Sequence, residues 1–401
     1  MDDEPSQLVQ PPAGRLVADE VERPRQRVDE DERRFVHGRH HRRPARRLRI
    51  ADVALFYGER SGGIRTYLDA KTRHLASSAA CEHHVVVPGP RERHLTGRHE
   101  LPSLRLATAN GYRVPLGARA LQRTLRTIRP DVVLLHDPFW QPLRIAAVAH
   151  GLGARVVAVH HGSSDLGAAG MPGPPGLWTP LFRAWLRHAY RPVDAIMSVV
   201  DPTDDCGRPA TLPLRLGVHA AFRPRPGTPR GDHTVYVGRL AREKGVFALL
   251  EAAARARDPW PLRFVGSGPA EGALRARVQR LGLRRRVSFL PFIRDRERLA
   301  EVYAGARCVV MPGEHETFGL VALEAAACGA PVVCSTTAPS GRQLGALAHT
   351  FSPGDVDGLA KAVGAARAAE PDLAAAAALA ERFGWPRLLD DELDALAELV
   401  A

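Results

Sequence analysis

The sequence has little of several things. Lysine occurs only at Lys71, Lys244 and Lys361, so the net charge of +12 is carried almost wholly by arginine. Aromatic residues make up only 6% of the 401 positions, and the positive charge is not interleaved with recognisable nucleic-acid-binding motifs. The five cysteines, Cys81, Cys206, Cys308, Cys328 and Cys334, form no Cys-x-x-Cys pair. That argues against a zinc site or a disulfide framework and fits a reducing compartment. No apolar run approaches the ~20 residues a membrane-spanning helix needs. The Met-Asp-Asp-Glu start lacks the basic and apolar regions of a secretory signal, so the expected location is cytoplasmic.

What is present is globular. Hydrophobic residues make up 45% and charged residues 25%, which excludes a wholly disordered or fibrous chain. The length suits two domains of ordinary size. Charge is unevenly spread: residues 1–47 sum to +1, residues 48–230 to +11 and residues 231–401 to zero. A basic first half recruits anionic partners. The competing explanation is an arginine-rich genome, and both stand at this point.

Residues 1–47 mix Arg, Glu, Asp, Pro and His without helical or strand period. They read as a disordered tail or as a start assigned too far upstream. From Leu48 onward, short apolar runs alternate with helical stretches. The runs IADVALF (50–56), VVLL (132–135), RVVAV (155–159) and AIMSVV (195–200) precede a Pro/Arg/Gly stretch at 222–231, and TVYVG (234–238), LRFVG (262–266), VSFL (287–290), RCVVM (307–311) and PVVC (331–334) follow it. Buried strands alternating with helices predict an α/β chain of two Rossmann-like doubly wound domains, 48–222 and 233–384, joined by a linker at 223–232. An alanine-rich helical tail is expected from about Asp355 to the end.

The most specific passage is MPGEHETFGLVALEAAACGAPVV (311–333). A strand ends at Met311, and a helix begins near Phe318 or Gly319. The first turn offers free N–H groups at Phe318, Gly319 and Leu320 with a positive dipole end, which makes a phosphate cradle. Glu316 falls in the loop at the helix mouth and Glu324 two turns inside. A capped packing helix with two solvated glutamates is the plainer alternative. In YVGRLAREKGVFALLEAA (236–253), the turn at Gly238 carries Arg239 and Lys244, two cations suited to two phosphate groups. The Gly-x-Gly-Pro turn of FVGSGPAEGAL (264–274) reads as an ordinary strand-to-helix turn.

In the first domain, Gly62 and Gly63 in GERSGGIRTYL (58–68) let backbone approach a pyrophosphate. The dinucleotide fingerprint Gly-x-Gly-x-x-Gly is missing there, which counts against a nicotinamide enzyme. His136 and Asp137 end the strand of PDVVLLHDPFW, facing the expected cleft. His160 and His161 end the next strand. Adjacent strand residues face opposite ways, so a shared metal is not expected.

Together these passages resemble the retaining, nucleotide-sugar-dependent glycosyltransferases of family 4, over roughly residues 48–400. The elements that carry the likeness are the glutamates Glu316 and Glu324 within ETFGLVALEAAACGAPVV, the Gly-Arg-Leu-x-x-x-Lys-Gly turn from Gly238 to Gly245, the Gly-Ser-Gly-Pro turn, SGGIRTYL, VVLLHDP and LGVHAAFRP. Gly313 and His219 depart from it, standing where the family often has serine and aspartate. The resemblance implies the GT-B fold and a helix at 385–401 crossing back onto the first domain. It implies that Arg239 and Lys244 hold the donor diphosphate, Glu324 the ribose and Glu316 the transferred sugar. It also implies that amides at Phe318 to Leu320 cradle phosphate and sugar, that His136 lines the sugar site, and that backbone near Phe292 and Ile293 meets the base. No cofactor is implied, and with two cations at the diphosphate no divalent metal is expected. The donor leans to GDP-mannose with UDP-glucose open, and the acceptor is a saccharide or a lipid-linked molecule of glycolipid or polysaccharide biosynthesis.

The stretch LGARALQRTLRTIRP (116–130), and Trp178, Phe182 and Trp185 with Arg183 and Arg187, suggest docking on the inner face of an anionic membrane. Two ordinary helices with one packed face are the alternative. The rivals to glycosyl transfer are a GT-B relative acting as phosphorylase or sugar-nucleotide epimerase, a catalytically dead scaffold, and a basic nucleic-acid-binding protein.

Overall fold

The computed structural model describes residues 47–57, 62–105, 113–162, 164–169, 171, 173–314, 316 and 318–401. The expected tail up to residue 46, and residues 58–61 of the glycine loop, lie outside them. Arg47, counted above with the tail, donates to the carbonyls of Ser78 and Cys81 at 3.0 and 2.8 Å and belongs to the fold.

The chain forms two sheets, each in an α/β lobe. In the first lobe, β1 (Leu48–Val53), β2 (Cys81–Gly89), β4 (Arg98–Arg105), β6 (Val132–Leu135), β7 (Arg155–His160), β8 (Ala195–Ser198) and β9 (Leu212–Pro213) run parallel in the order β4-β2-β1-β6-β7-β8-β9. Two short strands, β3 (Arg93–Leu95) and β5 (Arg113–Pro115), add antiparallel to β4. In the second lobe, β10 (Thr234–Val237), β11 (Leu262–Val265), β12 (Val287–Leu290), β13 (Cys308–Met311), β14 (Val332–Ser335) and β15 (Ala348–Phe351) take the order β12-β11-β10-β13-β14-β15. All six are parallel.

Both sheets reverse their winding beside the first strand, between β1 and β6 and between β10 and β13. In open α/β sheets, ligands bind outside the carboxyl ends of the strands at that point. The central strands are buried on both faces: Val132–Leu135 and Cys308–Met311 have no exposed residue, as crossover helices on both faces require.

The helical tail is three helices, Val356–Ala368, Leu373–Arg382 and Trp385–Val400, preceded by β15. Ala369 to Asp372 interrupts the run, and the Asp372 side chain caps the next helix by accepting from Ala375 N–H at 2.8 Å. The last helix packs on the first lobe. Val218 N–H donates to Phe383 O at 2.8 Å, and a Cβ on Gly217 would lie 2.7 Å from that same oxygen. Outgoing and returning strands of the chain therefore touch backbone to backbone. One apolar cluster runs without a break from Ile50 and Leu68 of the first lobe through Leu216, Trp385 and Leu388 to Leu323 and Val332 of the second.

Candidate active site

The residues at the two switch points come from four loops. In the second lobe, β10 leads into a turn whose glycines are fixed by close approach. Gly245 has φ +69°, and a Cβ there would sit 2.4 Å from Pro312 O. The Lys244 turn is thereby pressed against the loop that follows β13. Lys244 Nζ donates to Glu316 Oε2 at 2.8 Å. Gly313 leaves room for this, since a Cβ at that position would lie 2.5 Å from Glu316 Oε1. The glycine found where serine was expected therefore makes space for the glutamate.

Arg239, partly exposed, pairs with Glu243 one turn along, and its carbonyl accepts from the Tyr236 hydroxyl at 2.8 Å. The Gly-Ser-Gly-Pro turn buttresses this loop: Cβ atoms on Gly266 and Gly268 would meet Gly238 O at 2.1 Å and Leu240 O at 2.3 Å. It shapes the site without entering it.

Gly319 caps the helix Leu320–Ala327 with φ +92°, a left-handed conformation that an L side chain resists. A Cβ there would lie 2.3 Å from Ser340 Oγ and 2.7 Å from Met311 Cε. Facing this helix start is the other one. The helix Gly63–Leu75 begins after Gly62, and a Cβ on Gly63 would be 3.6 Å from Leu320 Cδ1. Two positive helix ends thus open on one gap, each with its first N–H groups unpaired within the helix. Phe292 and Ile293 follow β12, two strands from β10, or about 10 Å at ordinary strand spacing. Phe292 is exposed, whereas Ile293 packs on the core.

Glu324 stands apart from Glu316 in its chemistry. It is half-buried and accepts from the Tyr303 hydroxyl at 3.1 Å. Burial raises its carboxyl to about 7, although Tyr303 and Arg296 pull the other way. Near neutrality it exchanges a proton readily, and either form can hydrogen-bond a sugar hydroxyl.

The first lobe contributes a buried ionic network that the spacing did not reveal. Asp52, fully buried on β1, accepts from Lys71 Nζ at 3.0 Å, His83 Nε2 at 2.6 Å and His136 Nε2 at 2.6 Å. Lys71 reaches Glu392 of the last helix at 2.8 Å, and the Tyr67 hydroxyl donates to the same carboxylate at 2.6 Å. Burial alone would raise the Asp52 carboxyl, but Lys71, His136 and His83 outweigh it and hold it well below the usual range. Burial would likewise depress Lys71, and its two carboxylates reverse the shift.

His136 is the hub between this network and the gap. It is 2% exposed, and its Nδ1 faces His161 Nε2 at 2.7 Å. Burial and the neighbouring His136 and His160 push His161 well below the ordinary imidazole value, so it is neutral. With both ring nitrogens engaged, His136 meets a ligand only by exchanging a partner. Asp137 is architectural: its carboxylate accepts from the N–H groups of Leu55, Phe139 and Trp140 at 2.7, 3.0 and 3.2 Å. His160 turns to the opposite face, toward Asp205 at 3.7 Å. Among the described residues no group of three or more His, Cys, Asp or Glu is arranged to hold a metal ion. Of the two Asp-x-Asp triplets, Asp355–Asp357 is a helix cap, with Asp355 accepting from Gly358 N–H at 2.7 Å. The other, Asp29–Asp31, lies outside the described residues.

Comparison with known proteins gives a consistent result. Residues 223–376 match the family described as "Glycosyl transferases group 1" and residues 61–205 the one described as "Glycosyltransferase Family 4". The GDP-mannose-dependent alpha-(1-6)-phosphatidylinositol dimannoside mannosyltransferase of Mycobacterium tuberculosis (strain ATCC 25177 / H37Ra) is 34% identical over 313 residues, 72% of this chain and 80% of that protein. The D-inositol 3-phosphate glycosyltransferase of Jonesia denitrificans is 33% identical over 222 residues, 51% of this chain and 50% of that one. Among solved structures, Anabaena HepE in complex with UDP superposes with a TM-score of 0.67 at 18% identity, covering 88% of this chain and 100% of HepE.

Proposed function

The chain belongs to the family 4 glycosyltransferases, and on that footing we propose that it moves a hexose from a nucleotide-diphosphate sugar to a saccharide or lipid-linked acceptor with retention of configuration and without a divalent metal. GDP-mannose is the favoured donor, because the mycobacterial relative that shares most of its length is GDP-mannose-dependent by name. UDP-glucose is the second candidate.

The observation that carries this reading is the convergence of Lys244, Glu316 and two helix starts at one gap. Breaking a glycosyl–phosphate bond leaves negative charge on the departing diphosphate and positive charge on the sugar. Lys244 and Arg239, with the amides at Phe318 to Leu320 and at Gly63, oppose the negative charge where it grows. Groups fixed before the reaction begins need no reorganisation as it proceeds. In this proposal the two cations do what a divalent ion does elsewhere. Each now rests on a carboxylate, Lys244 on Glu316 and Arg239 on Glu243, and the diphosphate displaces those contacts. Glu316, released from Lys244, then accepts from sugar hydroxyls beside the reacting carbon, and Glu324 binds the ribose. Glu316 is not assigned as a nucleophile.

Peripheral docking on an anionic membrane is part of the same proposal, with one change in the residues responsible. On the helix Pro175–Ala189, Leu177 (67% exposed), Leu181 (61%) and Trp185 (38%) recur at four-residue spacing on one exposed face. Phe182 turns inward onto Gly167. The leucines of the helix Arg119–Ile128 are buried, so that helix offers arginines and Thr127 but no apolar side chain of size. No helix among the described residues is long and apolar enough to cross a membrane.

The test is a melting-temperature panel of GDP-, UDP- and ADP-sugars, since a ligand that binds only the folded state must stabilise it. One sugar nucleotide is expected to raise the melting temperature, and Lys244→Ala to abolish that rise and lower kcat by about 10²–10³-fold. The rate should survive a chelator, and product NMR should report the donor's own anomeric configuration. If no sugar nucleotide stabilises the protein, the donor assignment fails.

A further inference from the structure

A second basic pocket lies farther along the first lobe's helix than the diphosphate gap, and its Arg296 also acts on Glu324. It measures about 430 Å³, and its charged lining residues are Asp69, Arg73 and Arg98 of the first lobe and Arg296 of the second, with Thr72 and Thr96 beside them. Arg73 stands ten residues past Gly63 on the same helix, about 15 Å along its axis. A diphosphate held at the helix start does not reach it.

The charges around this pocket do not balance. Asp69 is occupied by the Tyr57 hydroxyl at 2.5 Å and by Arg65 at 3.3 Å. Arg98 donates to Glu100 at 3.1 Å and also to the Tyr57 hydroxyl at 3.1 Å. Neither Arg73 nor Arg296 has a carboxylate within ion-pair distance among the described residues. The side-chain partner of Arg73 is His219 Nε2 at 3.4 Å. Burial, Arg296 and Arg73 push that imidazole down against the pull of Glu297, and burial and Arg73 push the Arg296 guanidinium down although Glu324 and Asp69 pull the other way. Two guanidinium groups from different lobes therefore crowd one half-enclosed space, and the carboxylate in its lining, Asp69, is already engaged by Tyr57 and Arg65. A phosphoryl group fits such an arrangement, because two guanidinium forks match its oxygens. The cavity is several times larger than phosphate alone, and the hydroxyls of Thr72 and Thr96 can serve a polar remainder.

We infer that this pocket is an anion site for a phosphate ester of a small polyhydroxylated molecule, with Arg73 and Arg296 clamping the phosphoryl group from the two lobes. The phosphoryl group belongs either to the sugar acceptor or to a separate effector. The inference stands on charge and cavity alone, independently of which donor the enzyme uses.

Calorimetric titration of the full-length protein with sn-glycerol 3-phosphate at fixed ionic strength tests it, with glycerol and chloride as controls. Binding is expected in the wild type and in Lys244→Ala alike, with the Kd raised about tenfold or more in Arg73→Gln/Arg296→Gln. Arg98→Gln serves if the double variant does not melt cooperatively. Loss of binding in Lys244→Ala with retention in the arginine variants would put the phosphate in the diphosphate gap and overturn the inference. So would the absence of binding to the wild type. Once an acceptor is known, two kinetic outcomes separate the sources. A raised KM for a phosphorylated acceptor in the double variant identifies the acceptor's phosphate. A change in rate on adding the ester to a phosphate-free acceptor identifies an effector. Because binding is read without turnover, failure of the sugar-transfer reading leaves this result unaffected.

Discussion

The two lobes make their halves of the gap by different means. The second lobe uses backbone: left-handed glycines, a helix start and two cations on one turn, all within short stretches such as 236–245 and 311–324. The first lobe uses side chains gathered from far apart. Asp52, Lys71, His83 and His136 meet on a single carboxylate, and Glu392 joins them from 325 residues beyond its partner Tyr67. The lesson is that ligand-binding power and structural cohesion are separable here. The second lobe's site is a half-buried mouth whose cations rest on carboxylates a ligand can displace, whereas the first lobe's network is paired in the interior around Asp52.

The sharpest way to break this contrast is at Asp52. Asp52→Ala leaves Lys71, His83 and His136 without their shared acceptor in a dry interior. Removing one member of a buried ion pair costs about 3–5 kcal/mol, and chemical denaturation should report a loss of that order. Lys244→Ala, at the half-buried mouth of the gap where water can reach the partner left behind, should change the denaturation midpoint little. Equal destabilisation by the two variants would dissolve the distinction between the lobes.

Next in size is Gly319→Ala. The left-handed backbone and the overlap with Ser340 Oγ predict a loss of about 2–3 kcal/mol. The same variant should lose the donor-induced rise in melting temperature, because the helix start has to shift. A variant that melts normally and still binds donor would show that the cradle tolerates a Cβ.

The smallest effect concerns Glu324. Its carboxyl lies at about 7 in the folded chain against an ordinary 4.5. The folded state therefore holds a proton that the unfolded state has given up. Stability from this group is fullest below pH 4.5 and is lost as pH rises toward and through 7. After allowance for partial exposure, the urea midpoint should fall by the equivalent of about 1–2 kcal/mol over that range. Glu324→Gln should flatten the profile. An unchanged slope would mean that another group sets it.

The same contrast decides what was legible in the sequence. The strand–helix alternation and the second lobe's loops could be read directly, because each runs through contiguous residues whose turn chemistry is local. The strands β2 and β4 were missed. Their polar positions hide the hydrophobic period, and the reasons for those positions lie elsewhere in the fold: His83 serves Asp52, and His99 is wedged between His84 and His94 at 3.1 and 2.9 Å. The break of the final helical run at Pro371–Asp372 carried a visible cap signal that the alanine content overshadowed. Asp52 interrupts the otherwise apolar run IADVALF. A carboxylate amid residues that are otherwise buried is the one signal that pointed to the network. Nothing local linked Glu392 to Lys71.

The placement of Glu392 also orders events during synthesis. A ribosome delivers Asp52 and Lys71 more than three hundred residues before the carboxylate that completes their pairing. Until translation nears its end, the early half of the polypeptide carries a lysine with only one of its two acidic neighbours. It also carries an apolar surface that the Trp385 helix will later cover. The half that is made first is thus finished last, and a truncated chain lacking its final seventeen residues forfeits the interior of the lobe at the opposite end of its sequence.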